Sequence, residues 1–401
     1  MNRKKKSKTK GSALGLILIA LVVILIMGIG TLELGLRSRL FAIRTASGIA
    51  ARCASDAGLT KCLYEMNQKL KVKPWNGSSL PIAVHEQLAN SDTTFSYTVT
   101  PDTNDRYTVN SFGQSGPVLK RTYADLGLKG IFDNAILVRG VLSLMPNTLV
   151  TGYNSSDLTD TNFDVKIGTI STAASQVTLG PGSVVEGDAF CGVDGTPSST
   201  ISAGGTIQGY KYALSEEPPM PIIPAPPLPN MGTSLNVVSD LTIGPASNGT
   251  YTGLSVTGSK KLMVDGGNVI LNITGDILLG NNAEVVLKAN STLTIYTSGT
   301  IIMDNSSGFN NENTFCGTLK VFATDTVNRT HTLRAKSSIF GVVYAPYANI
   351  DLYPNAAIYG SFVAANLTLK SGATFYYDEA LRNVTVNDVG VYFVIKRWSE
   401  D

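Results

Sequence analysis

MVDGGNVILNITGDILL (263–279) and VLKANSTLTIYTSGTIIM (286–303) decide how the larger part of this chain is read. Both alternate apolar and polar residues over short runs broken by Gly and Asn, the pattern of strands with one buried face. Asn268, Leu271 and Ile273 recur as Asn290, Leu293 and Ile295, an offset of 22. Further on, IFGVVYA (339–345) recurs as IYGSFVA (358–364), and NIDL (349–352) as NLTL (366–369). Units of about 20 residues are too thin to bury an apolar face alone, so they predict the stacked coils of a β-solenoid. A β-sandwich also gives short alternating strands. The return of Asn to one template position favours the solenoid, where stacked amides bond to each other along the axis.

Outward from these repeats, the sequence divides into segments. The solenoid is expected over 233–381, with a C-terminal strand or tail over 382–401. Before it, Ser215 to Gly232 holds seven prolines. Such a stretch is extended and semi-rigid, so 214–232 reads as a strap between two β parts rather than as a ligand for a proline-binding module. Strand-like runs such as 136–138 and 176–179 make 131–213 a first β-rich part. FSYTVT and RYTVNSFG predict the hairpins of a small collar domain over 72–130.

The N-terminal region is of a different kind. Residues 1–11 carry Arg3, Lys4, Lys5, Lys6, Lys8 and Lys10 and no acid. Ala13 to Leu32 is then 20 residues without a charge. About 20 helical residues cover roughly 30 Å of hydrocarbon, so this is one membrane span, with the basic end retained in the cytoplasm and the bulk of the chain outside. The helical pattern continues to about residue 71, giving a rod over 12–71 that is about 88 Å long at roughly 1.5 Å per residue. Two thirds of that length lies beyond a bilayer. Ala46, Ala50, Ala54 and Gly58 recur every four residues and form a small-residue ridge suited to close helix packing. Three readings of the start compete: a secretory signal cut after the apolar run, a permanent anchor, and a basic leader cut before it.

Composition narrows the function. Charged residues make up 15% of the 401 and the formal net charge is +2, with the one basic run at the N-terminus. Nothing there suits nucleic acid. Low charge with abundant Gly, Ser, Thr and Asn suits an extracellular β-rich protein. Of four cysteines, Cys53 and Cys62 lie nine positions apart on the rod, about 13 Å along a straight helix and too far for a disulfide. Cys191 (FCGVDGT) and Cys316 (FCGTLKV) share a local context, and a bridge between them is one option left open.

Lys10 to Leu70 resembles the N-terminal region of PilX-type pilus assembly proteins, relatives of type IV pilins, through KGSALGLILIALVVIL (10–25) and ASGIAARCASDAGLTKCLYEMNQKL (46–70). Residues 341–381 and 182–221 are similar to the β-helical domain often joined to such N-termini. The resemblance implies cleavage by prepilin peptidase after Gly11, leaving Ser12 as the new N-terminus. It implies other pilin subunits as partners of the helix, a single membrane span before assembly, and a surface filament afterwards. Major pilins carry a glutamate four residues after the new N-terminus, where this chain has Leu16; that departure resembles tip-located minor pilins. A surface glycan or protein ligand for the β region follows as a further expectation.

No catalytic constellation emerges. The only histidines, His85 and His331, lie in no metal-ligand spacing, and neither HExxH nor a P-loop occurs. Asp265, Asp276, Asp304 and Asp351 are the candidates for a polysaccharide-active site on a solenoid, but each stands beside Gly, Asn or another turn-rich context and reads as a solvated turn residue. Tyr344, Tyr347, Tyr353, Tyr359, Tyr376 and Tyr377 enrich the last coils, either as a binding face or as core fill and capping. The expectation is therefore a structural or adhesive minor pilin without cofactor, metal or catalytic residue. A membrane-anchored β-solenoid enzyme and a solenoid-polymerising structural protein are the alternatives.

Overall fold

A computed structural model describes residues 13–103 and 105–400. The basic leader and the Gly11–Ser12 junction lie outside the described residues. The chain forms two compact units: Lys129–Tyr392 is one, and the segments on either side of it make the other.

The first unit is built on α1 (Ala13–Leu70), a single helix of 58 residues. Four strands follow, β1 (Ile82–Gln87), β2 (Thr94–Pro101), β3 (Tyr107–Ser115) and β4 (Val118–Lys129). β1 to β4 pair antiparallel in chain order, and the C-terminal strand Tyr392–Glu400 adds itself beside β4. The expected tail is thus the fifth strand of the collar sheet. One stripe of α1 packs on this sheet: Ala51, Ala54, Ser55, Gly58, Leu59, Cys62, Met66 and Leu70 are all buried. Their spacing of three and four is the one that lines up on a single helix face. The approach is close. A Cβ on Gly113 of β3 would lie 1.9 Å from the Ala51 carbonyl oxygen, and one on Gly58 would lie 2.4 Å from Ser111 Oγ. At that separation hydroxyls reach across: Ser111 Oγ donates to the Ser55 carbonyl (2.7 Å), and Ser55 Oγ lies 2.7 Å from Thr122 Oγ1. Near the helix end, the Asn67 amide makes a two-way bond with the backbone of Phe393 (2.7 and 3.1 Å).

The second unit is a solenoid whose strands all pair in parallel, in three faces. One face is a ten-stranded sheet, so ten coils stack. The sequence order of those coils is broken. The coil containing Phe362–Leu369 and Thr374–Asp378 does not end the stack; Ile136–Val138, Leu142–Leu144 and Leu149–Tyr153 pair onto it. From there the coils run on through Lys166–Thr169 and Asp188–Cys191 to Lys211–Ala213 at one end. The other end begins at Leu235–Val237. The division into 131–213, a connector and 233–381 is therefore corrected: both β segments are one stack with one core. A linear reading assumes that neighbours in sequence are neighbours in space, and here the first segment is the continuation of the last.

That order gives the proline-rich segment its task. Between Ala213 and Leu235 the chain returns from one end of the stack to the other. Nine spacings between ten strands span about 43 Å at roughly 4.8 Å each. Twenty-two steps in the polyproline conformation reach about 68 Å at roughly 3.1 Å each, so an extended chain spans the gap where a helix would not. Met220, Ile223 and Ala225 pack on the core as it passes, and Tyr344 Oη donates to the Pro221 carbonyl (2.7 Å).

Register corrects the repeat offset. Leu271 pairs with Ile295 and Ile273 with Thr297, an offset of 24 rather than 22, and Asn268 faces Thr292, not Asn290. A slip of two leaves every side chain on its own face, so the apolar pattern is blind to it. The later repeats hold: Ala345 faces Ala364, and Asn349 faces Asn366. There the amides do bond along the axis, Asn366 Nδ2 to Asn349 Oδ1 (2.8 Å) and Asn349 Nδ2 to Asn328 Oδ1 (3.0 Å).

Candidate functional site

The bare half of α1 is the largest chemical anomaly of the first unit. Residues 14–46 are exposed without exception, 33 in a row. They include Leu34, Leu36, Leu40, Phe41 and Ile43, of which Phe41 is 75% exposed. An apolar helix surface that no other element covers requires a non-aqueous neighbour. At roughly 1.5 Å per residue this stretch is about 50 Å long, against about 30 Å of hydrocarbon in a bilayer. About 20 Å of bare helix is left over, on which Leu34, Leu36, Leu40, Phe41 and Ile43 are interleaved with Glu33, Arg37, Arg39 and Arg44. Glu33 and Arg37 neutralise each other one turn apart on it, at 2.5 Å.

The small-residue ridge is divided by the fold. Ala46 is exposed and Ala50 half-buried, whereas Ala54 and Gly58 are buried against the chain's own sheet. The expectation that all four pack against other helices is corrected for the last two. Small size at 54 and 58 lets β2 and β3 approach, a demand that spacing alone does not distinguish from helix–helix contact. Gly113 and Ser111, on the other side of that contact, carried no signal in the sequence.

All four cysteines are free thiols. Cys191 and Cys316 sit on coils separated by several others, which rules out the bridge left open by their shared FCG context. Cys62 is buried under the sheet and its thiol is pushed up to about 12, by burial first and Glu65 second. Cys316 is raised well above the ordinary value, by burial first and then by Asp378. Neither is a nucleophile at neutral pH. Tyr153 Oη and Asp378 Oδ2 are buried against the Cys316 thiol and make no hydrogen bond to any other group.

Three of the four carboxylates singled out as candidates serve turns, and the fourth, Asp351, lies within a strand. Asp276 Oδ1 accepts from Thr300 N (2.7 Å) on the next coil, Asp265 Oδ1 accepts from Gly266 N (2.7 Å), and Asp304 pairs with Arg334 (3.2 Å). Asp351 stands outward on a strand between Thr332 and Thr368. They are not brought together. A dense ionic knot joins Arg382 to Asp164 (2.8 Å) and Glu379 (3.0 Å). Burial opposes ionisation of Asp164, but Lys166 and Arg382 overrule it and hold the carboxyl below its ordinary range. Among the described residues, no group of three or more His, Cys, Asp or Glu side chains is placed to hold a metal ion.

The tyrosines split between the two roles considered for them. Tyr344 and Tyr377 are fully buried. Tyr359 and Tyr376 are half-buried and stack, with centroids 4.6 Å apart and rings within 8° of parallel. Phe340 continues the row at 5.5 Å from Tyr359. Tyr353 lies under Lys370 and Tyr347 under Arg139. None caps an end of the stack, because the coils from 136 onward cover them.

Residues 230–384 match a family described as "Domain of unknown function (DUF7305)". The match begins at the end of the strap and stops after the last coil, so it takes in only the second of the two segments that share the stack. No curated protein matches the chain. Among solved structures, a glycosylated ice-binding protein from an Arctic yeast is similar at 16% identity, over 61% of this chain and 90% of that one, with a TM-score of 0.35. An ice-binding protein from the Antarctic ascomycete Antarctomyces psychrotrophicus gives 13%, 61%, 94% and 0.30. The competence-associated pilin ComZ from Thermus thermophilus gives 12%, 88%, 97% and 0.22. At TM-scores below 0.5 none of the three establishes a shared fold or function.

Proposed function

We propose that this chain is a pilin-like surface protein of the PilX type. Its helix first spans the cytoplasmic membrane once and then packs among other pilin subunits in a filament, with the solenoid carried outside. The observation that carries this reading is the length of the bare helix, on which exposed Leu34, Leu36, Leu40, Phe41 and Ile43 continue past the uncharged span. A tether needs about 20 residues. Residues 14–46 exceed that, and the surplus begins where the bilayer would end. A second set of helices supplies the missing neighbours, and Gly15, Gly28, Gly30, Gly35 and Gly48 each have open space where a partner's side chain would sit. Prepilin peptidase would cut between Gly11 and Ser12. With Leu16 in place of an acid, a minor, tip-proximal position fits better than the shaft. The role proposed is structural and adhesive, without catalysis.

The test separates tether from assembly element. Replacing both Leu40 and Phe41 by Gln leaves the span untouched. Membrane fractionation should show normal insertion, while the protein should vanish from sheared filaments. Mass spectrometry of the native N-terminus should begin at Ser12. Normal filament incorporation of the double variant, or a native N-terminus at Met1, would overturn the proposal.

A further inference from the structure

The bare stretch of α1 carries more positive charge than it can neutralise. Residues 14–46 hold Arg37, Arg39 and Arg44 against a single acid, Glu33. Glu33 is already taken by Arg37, at 2.5 Å. Arg39 and Arg44 are exposed and make no ion pair or hydrogen bond among the described residues. The next acid along the helix is Asp56, half-buried and twelve residues past Arg44, which places it roughly 18 Å away at about 1.5 Å per residue. The two arginines stand among the apolar side chains rather than opposite them. Arg44 shares a stripe with Arg37, and Leu40 and Phe41 fill the turn between the two; Arg39 lies one turn from both Leu36 and Ile43. Whatever covers Leu36, Leu40, Phe41 and Ile43 therefore covers two unpaired cations as well.

We infer that, within the filament reading on which this rests, the neighbour of this stretch is the helix of a different chain, apolar and carrying carboxylates at the levels of Arg39 and Arg44. A cation packed between helices is costly unless an opposite charge is buried with it. A second copy of this chain does not bring that charge. It adds three more arginines and one more acid, so every copy raises the surplus by two. Lipid phosphates lie too low. Headgroups extend the hydrocarbon by about 5–8 Å on each side, whereas Arg39 and Arg44 stand roughly 10 and 18 Å beyond Leu32 at about 1.5 Å per residue. Water hydrates a guanidinium but leaves Phe41 uncovered. An apolar helix bearing acids answers both demands. A guanidinium also takes a carboxylate through two parallel hydrogen bonds, so the pairs would set the axial register of the two helices as well as select the partner.

The experiment uses the full chain in its native cells and reads sheared filaments. The photoreactive p-benzoylphenylalanine in place of Phe41 keeps an aromatic side chain there and captures the neighbour on illumination. Mass spectrometry of the adduct should identify another chain's apolar helix, with Asp or Glu within one turn of the attachment point. Arg39→Glu combined with Arg44→Glu should insert in the membrane as wild type does and fall at least tenfold in filaments. Arg39→Lys combined with Arg44→Lys should stay within about threefold of wild type. Lys in place of the captured chain's acids should restore the glutamate variant. Both arginines are exposed and unpaired, so folding does not depend on them, and thermal melts verify this. Adducts only to a second copy or to lipid, a captured helix without acids, failure of the charge swap, or normal incorporation of the glutamate variant would each overturn the inference and leave the filament reading standing. Wild type missing from filaments would overturn the filament reading, and the heterotypic partner with it.

Discussion

His331 is the residue at which the solenoid departs from its own rule. The inward positions of its face run Leu254, Ile277, Ile301 on one side and Ile350, Leu367, Leu142 on the other, and His331 stands between them. Its Nδ1 accepts from Ile301 N (3.1 Å), while Nε2 is buried without a partner. Burial, aided by Arg329 and opposed by Asp325, pushes the imidazole down to about 4. The unfolded chain takes up a proton below about 6.5, whereas the folded one resists it until about 4. Stability from this group is therefore complete above about 6.5 and is lost as pH falls from there toward 4. The ceiling is about 3 kcal/mol, at about 1.4 kcal/mol per unit. In His331→Leu that loss disappears. Urea unfolding at pH 7.5 and 4.5 should show wild type losing about 2–3 kcal/mol more than the variant between the two conditions. Equal losses would show that the imidazole is not held neutral.

At the scale of elements, the strap and the bare helix show what the pattern of residues conveys. The seven prolines mark an extended connector, and that connector is present. What they do not convey is where its ends go, because direction along the stack is set by which coil edges meet, here 362–369 with 136–144. Period-two alternation identifies strands and inward residues, yet it fixes register only to within two positions. That is why Asn349 and Asn366 were placed correctly and Asn268 and Asn290 were not. The ridge on α1 failed for a related reason. Small residues announce close approach, not the identity of what approaches, and Gly113 sits on a strand whose sequence gives no sign of a helix above it. The strap also yields a prediction. Cleavage at a protease site introduced at Pro226–Pro227, which are on its half-exposed and exposed stretch, should leave the solenoid in one piece. The nicked fragments should co-elute in native gel filtration and separate only in denaturant, since strand pairing rather than the strap joins them. Separation under native conditions would contradict the discontinuous stack.

For the whole molecule, the topology makes the solenoid an insertion. The chain leaves the collar at the end of β4 and returns in the strand hydrogen-bonded to β4. Inside the insertion, departing and returning segments already touch: a Cβ on Gly390 would lie 2.7 Å from Ile131 Cδ1. Insertions whose ends lie together are the ones a host fold tolerates. Replacing residues 131–390 by a short Gly-Ser turn should therefore leave a folded collar on its helix. Circular dichroism and a cooperative melt would establish this, and under the filament proposal the shortened chain should still enter filaments. A collar that fails to fold without the insert would show that the five-stranded sheet depends on it.

The same double connection has a mechanical consequence. Under the filament proposal, tension on the solenoid would pass to the collar through two covalent threads entering adjacent strands, not through one flexible leash. Neither thread is a chain terminus, and the strand beyond the second is pinned at its far end by Glu400 on Arg52 (2.5 Å). Pulling the head free would mean stripping two neighbouring strands at once from a sheet clamped beneath a helix.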